Sequence, residues 1–237
     1  KGNIVDPLEL IEKYGADALR FTMTSMAASA AGRLRLSTAR VEGSRNFATK
    51  FWNATRFAEM NGAALPAGFD PATATLTINK WVLGELSRAN AALDRALGEF
   101  RLNEAANTLY EFVWGVVCDW YVELSKPVLQ GEDGPAKDET RAVTAYVIRE
   151  TAKLLHPVMP FITEELWDKL GHRAGHGMLI AQPWPRNETS ATWSPSMRSH
   201  TVSWSPQSGL SPSALAVASG MSRKFFGRRL WSRMMLW

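Results

Sequence analysis

Residues 38–61 read TARVEGSRNFATKFWNATRFAEMN, and this stretch decides the fold. Val41, Ala48, Phe51, Thr55 and Ala58 recur at helical spacing, so they line one face of a long α-helix. Asn61-Gly62 stops it. Such a helix needs partners for its apolar face, and the chain downstream supplies them. Helical patterns follow at about 77–99 (Trp81, Leu86, Leu93, Leu97), at 102–124 (Leu109, Phe112, Val116, Trp120, Leu124) and at 138–156 (Val143, Val147, Thr151, Leu154, Leu155). A Pro/Gly/Asp/Thr-rich loop from Leu65 to Thr75 separates the first two. Lys126-Pro127 ends the second downstream helix and His156-Pro157 the third, because the residue before proline avoids the helical region. A shorter helix runs from about Thr163 to Leu170. Nothing in residues 38–175 reads as a sheet. The expected fold is all-α, an antiparallel bundle of four or more long helices.

Upstream of that bundle, Asp6-Pro7-Leu8-Glu9 has the form of a helix start: an N-cap, a proline at the first helical position and a glutamate closing a capping box. Leu8 and Ile11, with Leu10 beside them, form the expected buried side, and Gly15 ends the helix. A second helix is expected from Ala16 to Ser29, with Leu19, Met23 and Met26 on one face. Gly32 to Leu36 reads as an extended connector, and Met178-Leu179-Ile180-Ala181 as a short strand or extended arm.

Composition narrows the function class. The chain has 237 residues, 27 Lys+Arg against 23 Asp+Glu, and 46% hydrophobic residues, an ordinary globular balance that excludes an acidic disordered tail or a collagen. A single cysteine, Cys118, excludes an intramolecular disulfide framework and a Cys-rich metal site. No run of 18 apolar residues exists, so no membrane-spanning helix is expected. The chain starts at Lys1 rather than Met, as expected of a piece of a longer protein. The charge is uneven. Residues 1–59 hold 9 basic and 6 acidic side chains, residues 60–185 hold 11 and 16, and residues 186–237 hold 7 and 1. The net +4 therefore comes mainly from the last stretch, while the informative local run is Arg20, Arg33, Arg35, Arg40, Arg45, Lys50 and Arg56 against the one acid Glu42.

Several motifs resemble one enzyme family. Lys1-Gly2-Asn3-Ile4-Val5-Asp6-Pro7, followed by Tyr14-Gly15-Ala16-Asp17-Ala18-Leu19-Arg20-Phe21, resembles the segment after the mobile Lys-Met-Ser-Lys-Ser loop of class I aminoacyl-tRNA synthetases. Arg45-Asn46-Phe47-Ala48-Thr49-Lys50-Phe51-Trp52-Asn53-Ala54 resembles the valyl-tRNA synthetases in particular. So do Phe112-Val113-Trp114, Cys118-Asp119-Trp120-Tyr121 and the run from His156 to Trp167 (HPVMPFITEELW). The isoleucine and leucine enzymes share that last run more loosely. The resemblance covers residues 1 to about 185; the absence of an Asp after Arg33 in Gly32-Arg33-Leu34-Arg35-Leu36 departs from the family pattern.

The resemblance implies a C-terminal fragment of a valine–tRNA ligase: a stem-contact segment (1–36), a helical anticodon-binding domain (37–185) and a tail (186–237). The intact enzyme attaches valine to tRNA(Val) using ATP. The His-x-Gly-His motif and the Lys-rich loop that hold the nucleotide are not in this sequence. The expectation is a chain that neither forms the adenylate nor charges tRNA, whose partners are tRNA(Val) and the N-terminal catalytic and editing domains of the intact enzyme. A cytoplasmic monomer without membrane attachment is implied as well.

Under this reading the tRNA-binding candidates are Arg45, Asn46, Lys50, Trp52, Asn53 and Arg56. Arg45, Trp52 and Arg56, spaced seven and four apart, share a flank of the long helix. Arginine and lysine contact phosphates, tryptophan stacks on unpaired bases and asparagine reads base edges. From the residues alone, a solvated basic face with Trp52 in the core is the commoner arrangement; the resemblance turns the reading toward RNA. Three alternatives stand beside it: the corresponding part of an isoleucine– or leucine–tRNA ligase, a stand-alone helical RNA-binding or scaffold protein, and a membrane-associated protein acting through its tail. Other patterns carry less. Asp17 and Arg20 read as a surface ion pair, Glu164-Glu165 as acids complementing a helix N-terminus, His172 and His176 as a pair lacking a third metal ligand, and Cys118 as a small buried residue. The tail holds 12 Ser, 4 Trp and no heptads, the composition expected of an out-of-frame reading; its Arg223 to Trp231 stretch would otherwise suit an anionic surface.

Overall fold

The computed structural model describes residues 6–27 and 36–185, which lie within one compact unit. Its helices are α1 (Pro7–Tyr14), α2 (Ala16–Ser25), α3 (Thr38–Met60), α4 (Thr77–Gly98), α5 (Leu102–Tyr110), α6 (Val122–Leu129), α7 (Pro135–Leu155), α8 (Pro160–Lys169) and α9 (His172–His176). A π-helical stretch, Glu111–Tyr121, joins α5 to α6 without a break. Short 3-10 turns occupy Pro71–Thr73 and Leu179–Ala181. Among the described residues there is no strand, and no helix is long and apolar enough to cross a membrane. The expected strand or arm at Met178–Ala181 is a 3-10 turn, in which Leu179 is the buried residue.

α3 forms as its periodicity dictates. Val41, Ser44, Phe47, Phe51, Ala54, Thr55 and Ala58 are buried, and Asn61-Gly62 ends the helix, Gly62 taking a left-handed φ of 73°. α2, the π stretch, α7 and α8 pack around it, and one large cluster runs from Phe21 and Phe47 through Leu93, Val113, Tyr121 and Val147 to Trp167. A small separate cluster of Leu10, Ala18 and Val41 seats α1 on α2 and α3. Full burial of side chains of this size is worth roughly 1.5–3 kcal/mol each, so the large cluster carries the bundle and α1 hangs from the small one.

The N-terminal helices bury other faces than expected. Asp6 caps α1, accepting from Leu8 N–H at 2.8 Å, but among the described residues Glu9 accepts no hydrogen bond from Asp6 N–H to complete a capping box. Leu10 is the buried residue, while Leu8 is 67% exposed and Ile11 stands at the surface. Gly15, with φ of 89°, turns the chain so sharply that only one side of so short a helix meets α3. In α2, Ala18, Phe21 and Thr22 face inward and Met23 faces out, while Met26 just past the helix end is buried; the Phe21 ring packs against Phe47 at 4.8 Å between centroids, tilted by 36°, and sets the helix rotation. α2 ends at Ser25; the rest of the expected helix to Ser29, and the connector from Gly32 to Arg35, lie outside the described residues.

The continuous helix Leu102–Leu129 departs from the expected α-period. Val116 is half-buried, Trp120 is 51% exposed and Leu124 is 50% exposed, although all three were expected inside. The π stretch is the reason. Val122 N–H bonds to Val117 C=O, five residues back, and each such turn takes up one more residue than an α-turn. Phe112, Val117 and Val122, five apart, therefore fall on the buried side. Pro127 does not end the helix either, which runs on to Leu129, since only one internal N–H is lost there. Gln130 caps it, and at Gly131, just beyond, a Cβ would sit 2.8 Å from Pro127 C=O.

Two helices receive their caps from elsewhere in the fold. α8 starts at Pro160, three residues before the expected Thr163, with Met159 at its N-cap, a side chain that accepts nothing. Asp17 of α2 fills the place, accepting from Phe161 N–H at 3.3 Å and Ile162 N–H at 2.6 Å. Arg20 donates to Val158 C=O at 3.2 Å and Pro157 C=O at 3.0 Å. Asp17 and Arg20 are thus no surface ion pair: each grips the backbone of the His156–Ile162 segment. Glu139 of α7 likewise takes Leu76 N–H and the Asn79 amide, both at 2.9 Å, at the start of α4. Burial raises the Asp17 pKa, and the Ile162 and Phe161 N–H groups and Arg20 offset only part of that. At Glu139 burial pulls the same way, but the bonds from Thr75, Asn79 and Leu76 outweigh it and hold the carboxyl below its ordinary value.

Candidate RNA-contact face

α3 turns a continuous polar stripe to solvent. Arg45, Asn46, Thr49, Asn53 and Arg56 are all exposed along it, at the three- and four-residue steps that keep one face of a helix outward. Four of the six expected residues are brought together there: Arg45, Asn46, Asn53 and Arg56. The Arg45 guanidinium donates to Lys13 C=O at 3.2 Å, which steadies one end of the stripe against α1. Arg56 makes no hydrogen bond or ion pair among the described residues.

Lys50 and Trp52 sit on opposite borders of the stripe, each engaged by a neighbouring element. Lys50 is half-buried and pairs with Asp119 of the π stretch, its ammonium 4.2 Å from the centroid of the Trp114 ring. Trp52 packs on the main core, and the Lys169 ammonium of α8 lies 5.7 Å from its ring centroid. Trp52 is neither fully buried nor free to stack on a base without moving Lys169.

Beside Lys50 runs an aromatic ladder that sequence reasoning missed. From Phe47 it passes to Tyr110 at 5.2 Å and to Trp114 at 5.5 Å, the last pair stacked at 21°. The signal for it in the sequence is the four-residue spacing of Tyr110 and Trp114. Burial, with Asp119 nearby, raises the Tyr110 pKa, so its hydroxyl stays a neutral donor. Cys118 is buried beneath, its Sγ 3.9 Å from Lys50 C=O, and desolvation pushes its thiol up to about 12. It is a packing residue, not a nucleophile.

The remaining motif residues are structural. Glu164 accepts Leu179 N–H at 3.0 Å, and Glu165 pairs with Lys169. His172 and His176 lie against Trp167, and among the described residues no group of three His, Cys, Asp or Glu is placed to hold a metal. Burial, with Arg149, His176 and Lys153 nearby, lowers the His172 pKa to about 4. The expectations for residues 186–237 lie outside the described residues.

Known proteins agree with this architecture. A family model described as the anticodon-binding domain of tRNA ligase matches residues 79–204, more than half of the chain. The chain therefore belongs to the anticodon-binding domain family of tRNA ligases. Its relatives narrow the kind: it is 55% identical over 193 residues to the valine–tRNA ligase of Bradyrhizobium diazoefficiens, covering 81% of this chain and 20% of that one. It is 61% identical over 170 residues to that of Rhizobium meliloti (71% and 18%) and 51% identical over 218 residues to that of Rhodopseudomonas palustris (92% and 22%). The chain thus spans about a fifth of the length of these relatives. Among solved structures, LeuRS of Agrobacterium radiobacter K84, crystallised in a ternary complex with tRNA and LeuAMS, shares the fold with a TM-score of 0.61 at 19% identity, over 79% of this chain and 21% of that one. The family match begins inside α4, after the stripe on α3, and runs to residue 204.

Proposed function

We propose that this chain is the tRNA-binding part of a valine–tRNA ligase, and that the α3 stripe of Arg45, Asn46, Asn53 and Arg56, with Lys50 and Trp52 on its borders, contacts tRNA(Val). One observation carries this reading: four polar or cationic side chains stand exposed on one helix face, in a chain 51–61% identical to valine–tRNA ligases. The cations contact phosphates and the asparagine amides meet base edges of the unpaired loop. In the intact ligase, ATP and valine are handled by the catalytic domain, residues 1–36 lead from that domain into the bundle, and residues 37–185 are the anticodon-binding domain. A cytoplasmic, monomeric enzyme follows from the same reading.

The chain alone is expected to give no valine-dependent pyrophosphate exchange and to bind tRNA(Val) in a salt-sensitive manner. An Arg45→Ala/Arg56→Ala double variant should bind about tenfold or more weakly at fixed salt, with unchanged helicity by circular dichroism, because two phosphate contacts are lost. Equal affinity of the variant would remove this face from consideration.

A further inference from the structure

The far end of α3 carries a chemically reactive pair. Asn61-Gly62 is the single Asn-Gly step in the chain. With no Cβ on the second residue, its backbone nitrogen reaches the asparagine side chain more readily than in any other Asn-X pair. Gly62 is exposed and Asn61 half-buried, so water and hydroxide have access to the step. The fold nonetheless keeps both reacting groups occupied. The Gly62 N–H, whose nitrogen would attack, donates to Glu59 C=O at 2.9 Å. The Asn61 amide, which would be attacked, donates from Nδ2 to Phe57 C=O at 2.8 Å, one turn back along α3. Asn61 itself takes φ −93° and ψ 10°, a helix-end conformation far from the one that brings its Cγ onto the next nitrogen. Ala63 N–H closes the turn onto Ala58 C=O at 2.9 Å.

A side chain from another helix pins this turn. Arg141 of α7 donates from Nε to Asn61 C=O at 3.0 Å. Its Nη1 lies 3.8 Å from the Asp133 carboxylate and 3.6 Å from that of Asp138, so the guanidinium is itself held from the α7 side. We propose that Asn61-Gly62 is a spontaneous deamidation site that the folded chain latches through Arg141, so that modification proceeds only when the last turn of α3 opens. In the open state the Gly62 nitrogen, its proton taken by hydroxide, adds to Asn61 Cγ. The Cγ–Nδ2 bond breaks, and ammonia leaves with a proton from water. Water then opens the imide at either carbonyl, giving aspartate or isoaspartate. Either product loses the Nδ2 bond to Phe57 C=O and sets a carboxylate at the C-terminal end of α3, where the helix dipole is already negative. Isoaspartate also adds a methylene to the backbone, which the cap does not accommodate. Helix ends open at far lower cost than the whole fold, so the rate of this reaction reports the turn and not global unfolding.

The test incubates the full chain beside a synthetic peptide of residues 55–66 at mildly alkaline pH and follows both by mass spectrometry, with isoaspartate scored by enzymatic methylation. Asn61 should be the first asparagine of residues 36–185 to convert, faster as pH rises, yet at least about tenfold more slowly than in the peptide. Arg141→Ala should speed conversion about fivefold, the worth of one hydrogen bond, and speed hydrogen exchange at Gly62 and Ala63 in parallel. Asn79 and Asn90, buried in α4, should stay intact in that variant. Should Arg141→Ala fail to fold, Arg141→Lys, which keeps the charge and loses the fixed Nε donor, reads the same latch. Asn61→Gln should abolish the acidic product. Peptide-like conversion in the folded chain overturns the proposal. So does an unchanged rate in the Arg141 variants, an earlier reaction at another asparagine, or an Asn61 that stays intact when the peptide has long been consumed.

Discussion

α3 and the continuous helix Leu102–Leu129 lie side by side in the bundle, yet they meet solvent differently. α3 exposes arginine and asparagine and keeps Phe47 and Phe51 inside. Its neighbour exposes Tyr110, Trp120 and Leu124, each at 41% or more. The difference lies in the backbone. An α-helix returns to the same side every three or four residues, so a polar stripe and an apolar stripe stay separate along its whole length. A π-helical run returns every fifth residue, which carries Trp120 and Leu124 around to the surface. The seam between the two helices is bridged by Lys50 on Asp119 and Trp114, and by Cys118 under Lys50 C=O.

The sharpest way to break this contrast is to truncate one residue on each side of the π stretch. Phe112→Ala should cost about 3–5 kcal/mol in denaturant unfolding, and Trp120→Ala less than about 0.5 kcal/mol. Equal losses would mean that the helix keeps an α-period throughout. Next comes the thiol. With its pKa pushed to about 12, Cys118 should react with a thiol reagent at mildly alkaline pH at least about a hundredfold more slowly than in the urea-unfolded chain. Fast labelling of the native chain would show the seam to be open. The smallest effect is expected at the ion pair, where a double-mutant cycle of Lys50→Ala and Asp119→Ala should give a coupling below about 1 kcal/mol, because both side chains are about a third exposed. A larger value would make Lys50 a structural anchor rather than a residue available to RNA.

Much of this was legible in the residues. The all-α class, the spans of α3 and α4, the end of α7 and the glycine after α1 follow from periodicity and turn chemistry, since each rests on contacts within one helix turn. What sequence reasoning missed depends on neighbours. The rotation of α2 is set by Phe47 from another helix. The start of α8 is set by Asp17, far away in the chain. The phase of residues 112–124 is set by a backbone bond pattern that side-chain identity does not encode. The candidate face was read in part: the exposed residues of α3 obey helical geometry, whereas the engagement of Lys50 and Trp52 arises only when neighbouring elements meet α3.

The grip of Asp17 and Arg20 on the His156–Ile162 segment bears on how the chain is made. These bonds join residues 137 to 145 positions apart. At about 5–20 residues per second, the ribosome needs roughly 7–30 s to add that much polypeptide after α2 has been synthesised. Through that interval α2 waits without the segment it caps. Contacts of such separation also slow the search once the chain is complete, since a long loop must close before they form. The last motif to be translated is the one that locks the first in place.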